Sequence, residues 1–360
     1  VDMEVSSCVS HVMRGTGAGR SLAKGVLQRR TRRHFASARQ TESWSCIFGT
    51  SVIPHPAKAD RGGEDAFFAC HQAQCFAVAD GVGGWVDMGV NAGVFSRTLL
   101  RELLQSVHQP EHTDLLKSLR SAWDRMQSSK DPPSGGSTIL CGQVQGSRLS
   151  LVNIGDSGVL VVRPQRGLDP GEDERSMDQQ RKARLVFRSQ EQQLFFNCPF
   201  QLSSNSDGKE VLSEADQFTV SVRPGDLIIA GSDGVFDNLF DDEIVGLASG
   251  YVNLVSMQSS LSLASGYAEE PIMSAIRGRH KLLNNFARRV AEAAHAAANG
   301  AEFTPFSYSA AKEGVGHRGG LPMRGGKIDD ITVVVGEVSR DPPFGTVVAS
   351  NLEDLQPVVV

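Results

Sequence analysis

The sequence predicts an α+β fold whose helices are segregated from antiparallel strands, and two observations carry that reading. Short apolar runs rich in β-branched residues recur along the chain, bounded by Gly, Asp, Asn or Pro, which is the pattern of strands joined by turns. The helical stretches come in blocks instead of separating successive strands, unlike the regular alternation of a doubly wound sheet. In chain order, the first strand falls at 75–79. Two helices follow: Phe95, Leu99, Leu103 and Val107 recur at i, i+4, as do Leu115, Leu119, Trp123 and Met126, so each offers one apolar stripe to a sheet. Strands are then expected at 138–144, 149–154, 159–163, 183–188, 218–222 and 227–230. A long helix over 272–298 is marked by Ile276, Leu283, Phe286, Val290 and Ala294, with Arg and Lys on its other face, and 331–338 is the last strand. Two stretches without periodicity read as insertions: 164–182, charged and punctuated by Gly and Pro, and the Gly-rich 300–327.

At 360 residues the chain can bury a sizeable core in one large domain or two. No apolar run approaches the ~18 residues of a membrane span. The net charge of −5 argues against nucleic acid as a partner. Nothing in the sequence specifies an oligomeric state. The cysteines at 8, 46, 70, 75, 141 and 198 form no C-x-x-C pair and are too sparse for a disulfide framework, so they read as reduced thiols.

The charge is unevenly placed, with +6 on the first forty residues and −11 on the rest. There Arg14, Arg20, Lys24, Arg29 and Arg30 interleave with Val12, Leu22, Val26 and Leu27, a pattern able to form a basic amphipathic helix. Arg-rich, Ser-containing and acid-poor is the composition of a transit peptide. Arg33-His34-Phe35 before Ala36-Ser37 resembles a mitochondrial processing site. The expectation is a mitochondrial transit peptide over 1–41, cleaved near 35/36, a folded domain over 42–340, a tail over 341–360, and residence in the mitochondrial matrix. A chloroplast address is the alternative, and a basic arm for nucleic acid or anionic lipid is a third reading.

The chemistry lies in a recurrence. Apolar runs end in aspartate beside Gly or Ser at Asp80-Gly81, Asp156-Ser157 and Asp233-Gly234, and the mirrored pattern places Glu64-Asp65 and Asp329-Asp330 just before strands. Each alone is an ordinary turn dipeptide. Antiparallel pairing can nevertheless set one strand's end beside the next strand's start, gathering these carboxylates on one rim. Gathered carboxylates repel unless a cation neutralises them. Oxygen ligands without Cys or His favour Mg²⁺ or Mn²⁺, and a pair of such ions suits phosphate-ester hydrolysis.

Six motifs, in order Gly63-Glu-Asp-Ala, Ala79-Asp-Gly, Gly135-Gly-Ser-Thr, Asn153-Ile-Gly-Asp-Ser-Gly, Gly231-Ser-Asp-Gly-Val-Phe-Asp and Lys327-Ile-Asp-Asp-Ile-Thr, resemble those of the metal-dependent type 2C protein phosphatases. The resemblance spans about 46–340. Within it, 79–85, 190–202, Thr304-Pro-Phe and Gly325-Gly-Lys327 look like the mitochondrial branch linked to coenzyme Q biosynthesis. It implies a four-layer α-β-β-α sandwich and hydrolysis of phosphoserine or phosphothreonine in phosphoprotein substrates by a metal-bridging water. It further implies that Asp80 bridges two Mn²⁺ or Mg²⁺ ions, that Gly81 offers its carbonyl, that Asp233 and Asp329 bind the first ion, and that Glu64 and Asp65 serve the second. Asp156 would belong to a weaker third site shared with Asp233.

Three positions depart from the family pattern. Val82 stands where many members carry a histidine suited to general acid catalysis, typically worth about 10²–10⁴ in rate. Arg61 is the candidate phosphate clamp, although it lies three residues before Glu64, where the family's phosphate-binding arginine lies four before, and Asp60 holds the family position. Asp330 replaces a frequent asparagine, and would tighten metal binding or support the ligands from behind. Trp85 reads as a packing anchor, with substrate contact as its alternative. The histidines at 108, 112, 280 and 295 read as surface residues. Against a phosphatase stand a catalytically weak scaffold, suggested by Val82, and a metal-dependent nuclease, disfavoured by the acidic body.

Overall fold

Burial on both faces explains why the strands show apolar runs more often than alternation. In β14 (Ile331–Ser339), Ile331, Val333 and Val335 pack under helices, while Val334 and Val338 face a second sheet. In β3 (Cys75–Ala79), Cys75, Ala77 and Ala79 meet a different pair of helices, and Phe76 and Val78 meet the first sheet. Neither strand has a wet face to mark with polar residues.

The computed structural model describes residues 44–109, 114–165, 182–264, 271–315, 323–340 and 348–352. One sheet has five strands: β1 (Ser45–Ile53), β14, β13 (Leu227–Gly231), β7 (Gly158–Pro164) and β8 (Ala183–Arg188), in that spatial order. A second has six: β12 (Asp216–Ser221), β6 (Arg148–Ile154), β5 (Ile139–Gln145), β3, β2 (Ala66–Cys70) and β15 (Val348–Ser350), and two short ribbons pair β4 (Gly136–Ser137) with β11 (Leu202–Ser203) and β9 (Gln193–Phe195) with β10 (Cys198–Pro199). Every neighbouring pair is antiparallel. The sheets pack face to face through Phe48, Phe76, Leu140, Leu151, Val161 and Ile228.

Helices α1 (Ala92–Val107) and α2 (Leu115–Gln127) cover the outer face of the six-stranded sheet, burying Phe95, Leu99, Leu103, Leu119 and Trp123 as their spacing predicts. Asn91 accepts from the backbone N–H of Gly93 and Asp114 from those of Leu116 and Lys117, so both starts are capped. On the five-stranded sheet lie α5 (Asp241–Ala264) and α6 (Pro271–Ala298), the latter seating Leu283, Phe286, Val290 and Ala294. The four-layer sandwich of two antiparallel sheets flanked by helices is therefore what the chain forms. Among the described residues, no helix is long and apolar enough to cross a membrane.

Several expectations are corrected. The domain does not end at 340: β15 pairs with β2, Asn351 accepts from the N–H of Phe67 and donates to the carbonyl of Asp65, and Leu352 is buried. The stretch 300–327 is not one loop, because Thr304 caps a helix, α7 (Pro305–Lys312), with Ser307 returning the bond. Strand β1 was absent from the expected series, and β2 was implied only by the Glu64-Asp65 pair placed before it. Cys46, Cys70, Cys75 and Cys141 are free and buried, but Cys198 is disulfide-bonded, so the six are not all thiols. The leader at 1–41, its cleavage site and 166–181 of the first insertion lie outside the described residues.

Candidate metal centre

Strand register alone brings the acidic residues together. Ala66 sits opposite Ala79, so Asp65 and Asp80, one step beyond each, leave the six-stranded sheet side by side. Gly231 pairs with both Gly158 and Val333, which carries Asp156, Asp233 and Asp329 to the same end of the five-stranded sheet. Asp233 opens the short helix α4 (Asp233–Phe236), and a Cβ on the next residue, Gly234, would stand 2.1 Å from the carbonyl oxygen of Asp330. Only a glycine lets α4 approach so closely. Gly81 is constrained likewise, since its Cβ would lie 2.6 Å from the carbonyl oxygen of Glu64.

Carboxylates so placed raise one another's proton affinity. Burial, then the charges of Asp233, Asp65 and Asp329, push Asp80 well above the usual carboxylate range. Asp65 is raised by burial and by Asp330, and the nearby hydroxyls of Thr332 and Ser232 oppose this only in part. Asp156 is raised by burial and by Asp233, against the pull of Lys327. For Asp329 burial acts upward too, but the ammoniums of Lys327 and Lys58 outweigh it and hold the group below its ordinary value.

Two lysines balance the acids, and neither was singled out in the sequence as a site residue. The Lys58 ammonium lies 2.7 Å from Glu64 Oε2, 3.5 Å from Asp330 Oδ2 and 4.0 Å from Asp329 Oδ1. That of Lys327 lies 2.5 Å from Asp233 Oδ2, 3.1 Å from Asp329 Oδ2 and 3.3 Å from Asp237 Oδ2. As the side chains stand, no three His, Cys, Asp or Glu among the described residues are grouped closely enough to hold an ion. The oxygens nevertheless fit one: both carboxylate oxygens of Asp65, Oδ1 of Asp233 and Oδ1 of Asp156 are buried and accept no hydrogen bond. Unsatisfied buried acceptors are costly unless something occupies them, and an all-oxygen set suits a hard dication.

The expected residues divide into those that face this cluster and those that support it. Glu64, Asp65, Asp80, Gly81, Asp156, Asp233 and Asp329 are all there. Arg61 reaches it as well, its Nη2 3.1 Å from Glu64 Oε1 and its buried Nε without a partner. Asp330 turns away, accepting from the N–H of His55 at 2.7 Å through Oδ1 and from that of Glu64 at 3.0 Å through Oδ2. It ties the Glu64-Asp65 segment to the start of β14. Because both oxygens must accept, Asp330→Asn would set an NH₂ against an N–H; it is expected to cost about 1–3 kcal/mol by chemical denaturation. Val82 is buried against Trp85 and Val90, and the Trp85 indole donates to Gln201 Oε1 at 3.2 Å, so Trp85 is the packing anchor. His280 is no plain surface residue, since Nδ1 lies 2.7 Å from the Phe48 carbonyl oxygen.

Comparison with known proteins makes the family definite. The family model for protein phosphatase 2C matches residues 57–270. "Probable protein phosphatase 2C 80" of Arabidopsis thaliana is 34% identical over 302 residues, covering 83% of this chain and 60% of its own length. "Protein phosphatase PTC7 homolog" of Xenopus laevis is 33% identical over 310 residues, covering 82% of this chain and 88% of its own. The X-ray structure of the photosystem II phosphatase PBCP superposes with a TM-score of 0.61 at 29% identity, covering 82% of this chain and 100% of that one. The chain belongs to the protein phosphatase 2C family. It spans 60% and 54% of the length of two Arabidopsis relatives.

Proposed function

We propose that the protein is a Mg²⁺- or Mn²⁺-dependent protein phosphatase that hydrolyses phosphoserine and phosphothreonine. The observation that carries this is the group of buried, unpartnered carboxylate oxygens on Asp65, Asp233 and Asp156 around Asp80, at the strand ends of a phosphatase 2C fold. Asp80, whose carboxyl feels the charges of Asp233, Asp65 and Asp329, would hold both ions, with the Gly81 carbonyl beside it. Asp233 and Asp329 would complete one site, and Glu64 and Asp65 the other. Such a pair of ions supplies an acidified water and polarises the phosphoryl group.

The chain's own cations then have separable tasks. Arg61, its side chain 33% exposed, presents a planar fork with Nε still free, which suits a substrate phosphate. Lys58 is held inward on Glu64 and Asp330 and orients the ligands. Val82, packed on Trp85, offers no proton, so the leaving alkoxide must be protonated from elsewhere.

The leader supports import into the mitochondrion and matrix phosphoproteins as substrates. Stretches 79–85 and 190–202 support the branch linked to coenzyme Q biosynthesis. The likeness to a photosystem II phosphatase favours a chloroplast address as the second reading. Activity is tested with a phosphothreonine peptide, an aryl phosphate and DNA, each with Mn²⁺, Mg²⁺ or EDTA. Peptide hydrolysis abolished by EDTA is expected. Mn²⁺ binding without turnover would favour the scaffold, and DNA cleavage the nuclease.

A further inference from the structure

Lys327 differs from an ordinary surface lysine in how it is held. Its N–H donates to Asn238 Oδ1 at 3.0 Å and its carbonyl accepts from Asn238 Nδ2 at 2.9 Å, so one side chain pins its backbone from both sides. The preceding Gly326 packs so tightly there that a Cβ would lie 2.1 Å from Asn238 Oδ1. From this fixed base the ammonium passes 6.0 Å from the centre of the Phe306 ring and ends between Asp233, Asp237 and Asp329.

Asp156 completes the surroundings. Its side chain, with the residue 4% exposed, accepts from Gln193 Nε2 at 3.1 Å through Oδ2, and its Oδ1 has no hydrogen-bond partner. Asp233 is divided: Oδ2 faces the ammonium, while Oδ1 is unpartnered and remains free for an ion beside Asp80. Lysine and first ion can therefore share this carboxylate, and they share Asp329 too, whose Oδ2 faces the ammonium at 3.1 Å. A third dication among Asp156, Asp233 and Asp237 could not share the space, because its oxygen ligands must close to about 2.0–2.1 Å for Mg²⁺.

We propose that the Lys327 ammonium is a built-in cation occupying the position of the weaker third metal ion, so that this chain binds two divalent ions and excludes a third. The proposal rests on the binuclear reading above and departs from the expectation that Asp156 and Asp233 hold a third ion. Asp237 then serves the lysine and not a metal.

The test is the number of Mn²⁺ ions bound by full-length, metal-stripped protein, read from the loss of the free-ion EPR signal. The expected counts are two for wild type up to millimolar Mn²⁺, three for Lys327→Met with the third weak, and two for Lys327→Arg. Without metal, Lys327→Met leaves buried carboxylates uncompensated and should melt on the order of 10 °C lower, recovering with Mn²⁺. Should Lys327→Met not fold, Lys327→Gln decides, since it keeps a polar head without the charge: three ions are expected, and two overturns the proposal. Three ions in wild type, or two in Lys327→Met, overturns the proposal while leaving the binuclear centre intact. No ion in wild type overturns both.

Discussion

Asp80→Asn should lower kcat/KM on a phosphothreonine peptide by at least about 10³-fold, equivalent to about 4 kcal/mol of lost transition-state stabilisation. Asp80 is the carboxylate on which the charges of Asp233, Asp65 and Asp329 act together, so it is the group proposed to join both halves of the centre. An amide keeps its shape and removes the charge. The variant should also lose the rise in Tm that Mn²⁺ gives wild type, because stabilisation by a ligand follows its affinity for the folded state. Its metal-free form should fold, since neutralising one of several crowded buried acids removes repulsion. Thermal melts with and without Mn²⁺, beside steady-state kinetics, check both halves. A folded variant of wild-type activity would remove Asp80 from the chemistry.

Gly234→Ala should be the most damaging single methyl group in the site. Its Cβ would stand 2.1 Å from the Asp330 carbonyl oxygen, and that neighbour is backbone at the start of β14, held by Ser232 and the β13 pairing. Relief requires α4 and β14 to separate, which pulls Asp233 from Asp329. Overpacking of this kind costs about 3 kcal/mol. Chemical denaturation should show that loss, and Mn²⁺ affinity should fall with it. Gly250→Ala is the control: it lies in α5 with open space around it and should be neutral or slightly stabilising.

Much of the acidic cluster was legible because the signal was local. An aspartate at a strand end keeps its place whatever the sheet order, and antiparallel pairing then needs only a matching register, such as Ala66 with Ala79 or Gly231 with Val333. The cations were not legible in the same way. Lys58 lies on a 3₁₀ turn and Lys327 on a segment outside helix and strand, each reaching the centre through a long flexible stem whose end no spacing rule locates. Asp237 was quoted within a motif, but its partner emerges only when Lys327 folds over it. Asp330 shows the same limit, since the direction of its carboxylate, toward His55 and Glu64, is a tertiary fact.

The missed elements have equally plain causes. Gly49, Thr50 and Ser51 interrupt the apolar run of β1, which is stable because it pairs along its full length with β14 and receives α6 on one face. Gly49 is required there, as a Cβ would meet the Leu283 backbone at 2.4 Å. β15 spans three residues, too short for any periodicity, and is fixed by Asn351 bonding back to Asp65 and Phe67.

The central claim is that Asp80 joins two ions at the meeting point of the two sheets. Anomalous diffraction at the manganese edge, from crystals grown with Mn²⁺, tests it most directly. The account predicts two peaks flanking Asp80, one beside Asp233 and Asp329 and the other beside Glu64 and Asp65, with Lys327 still between Asp233 and Asp237. Crystals in saturating Mn²⁺ with no anomalous density at Asp80, or with ions bound only elsewhere, would contradict it.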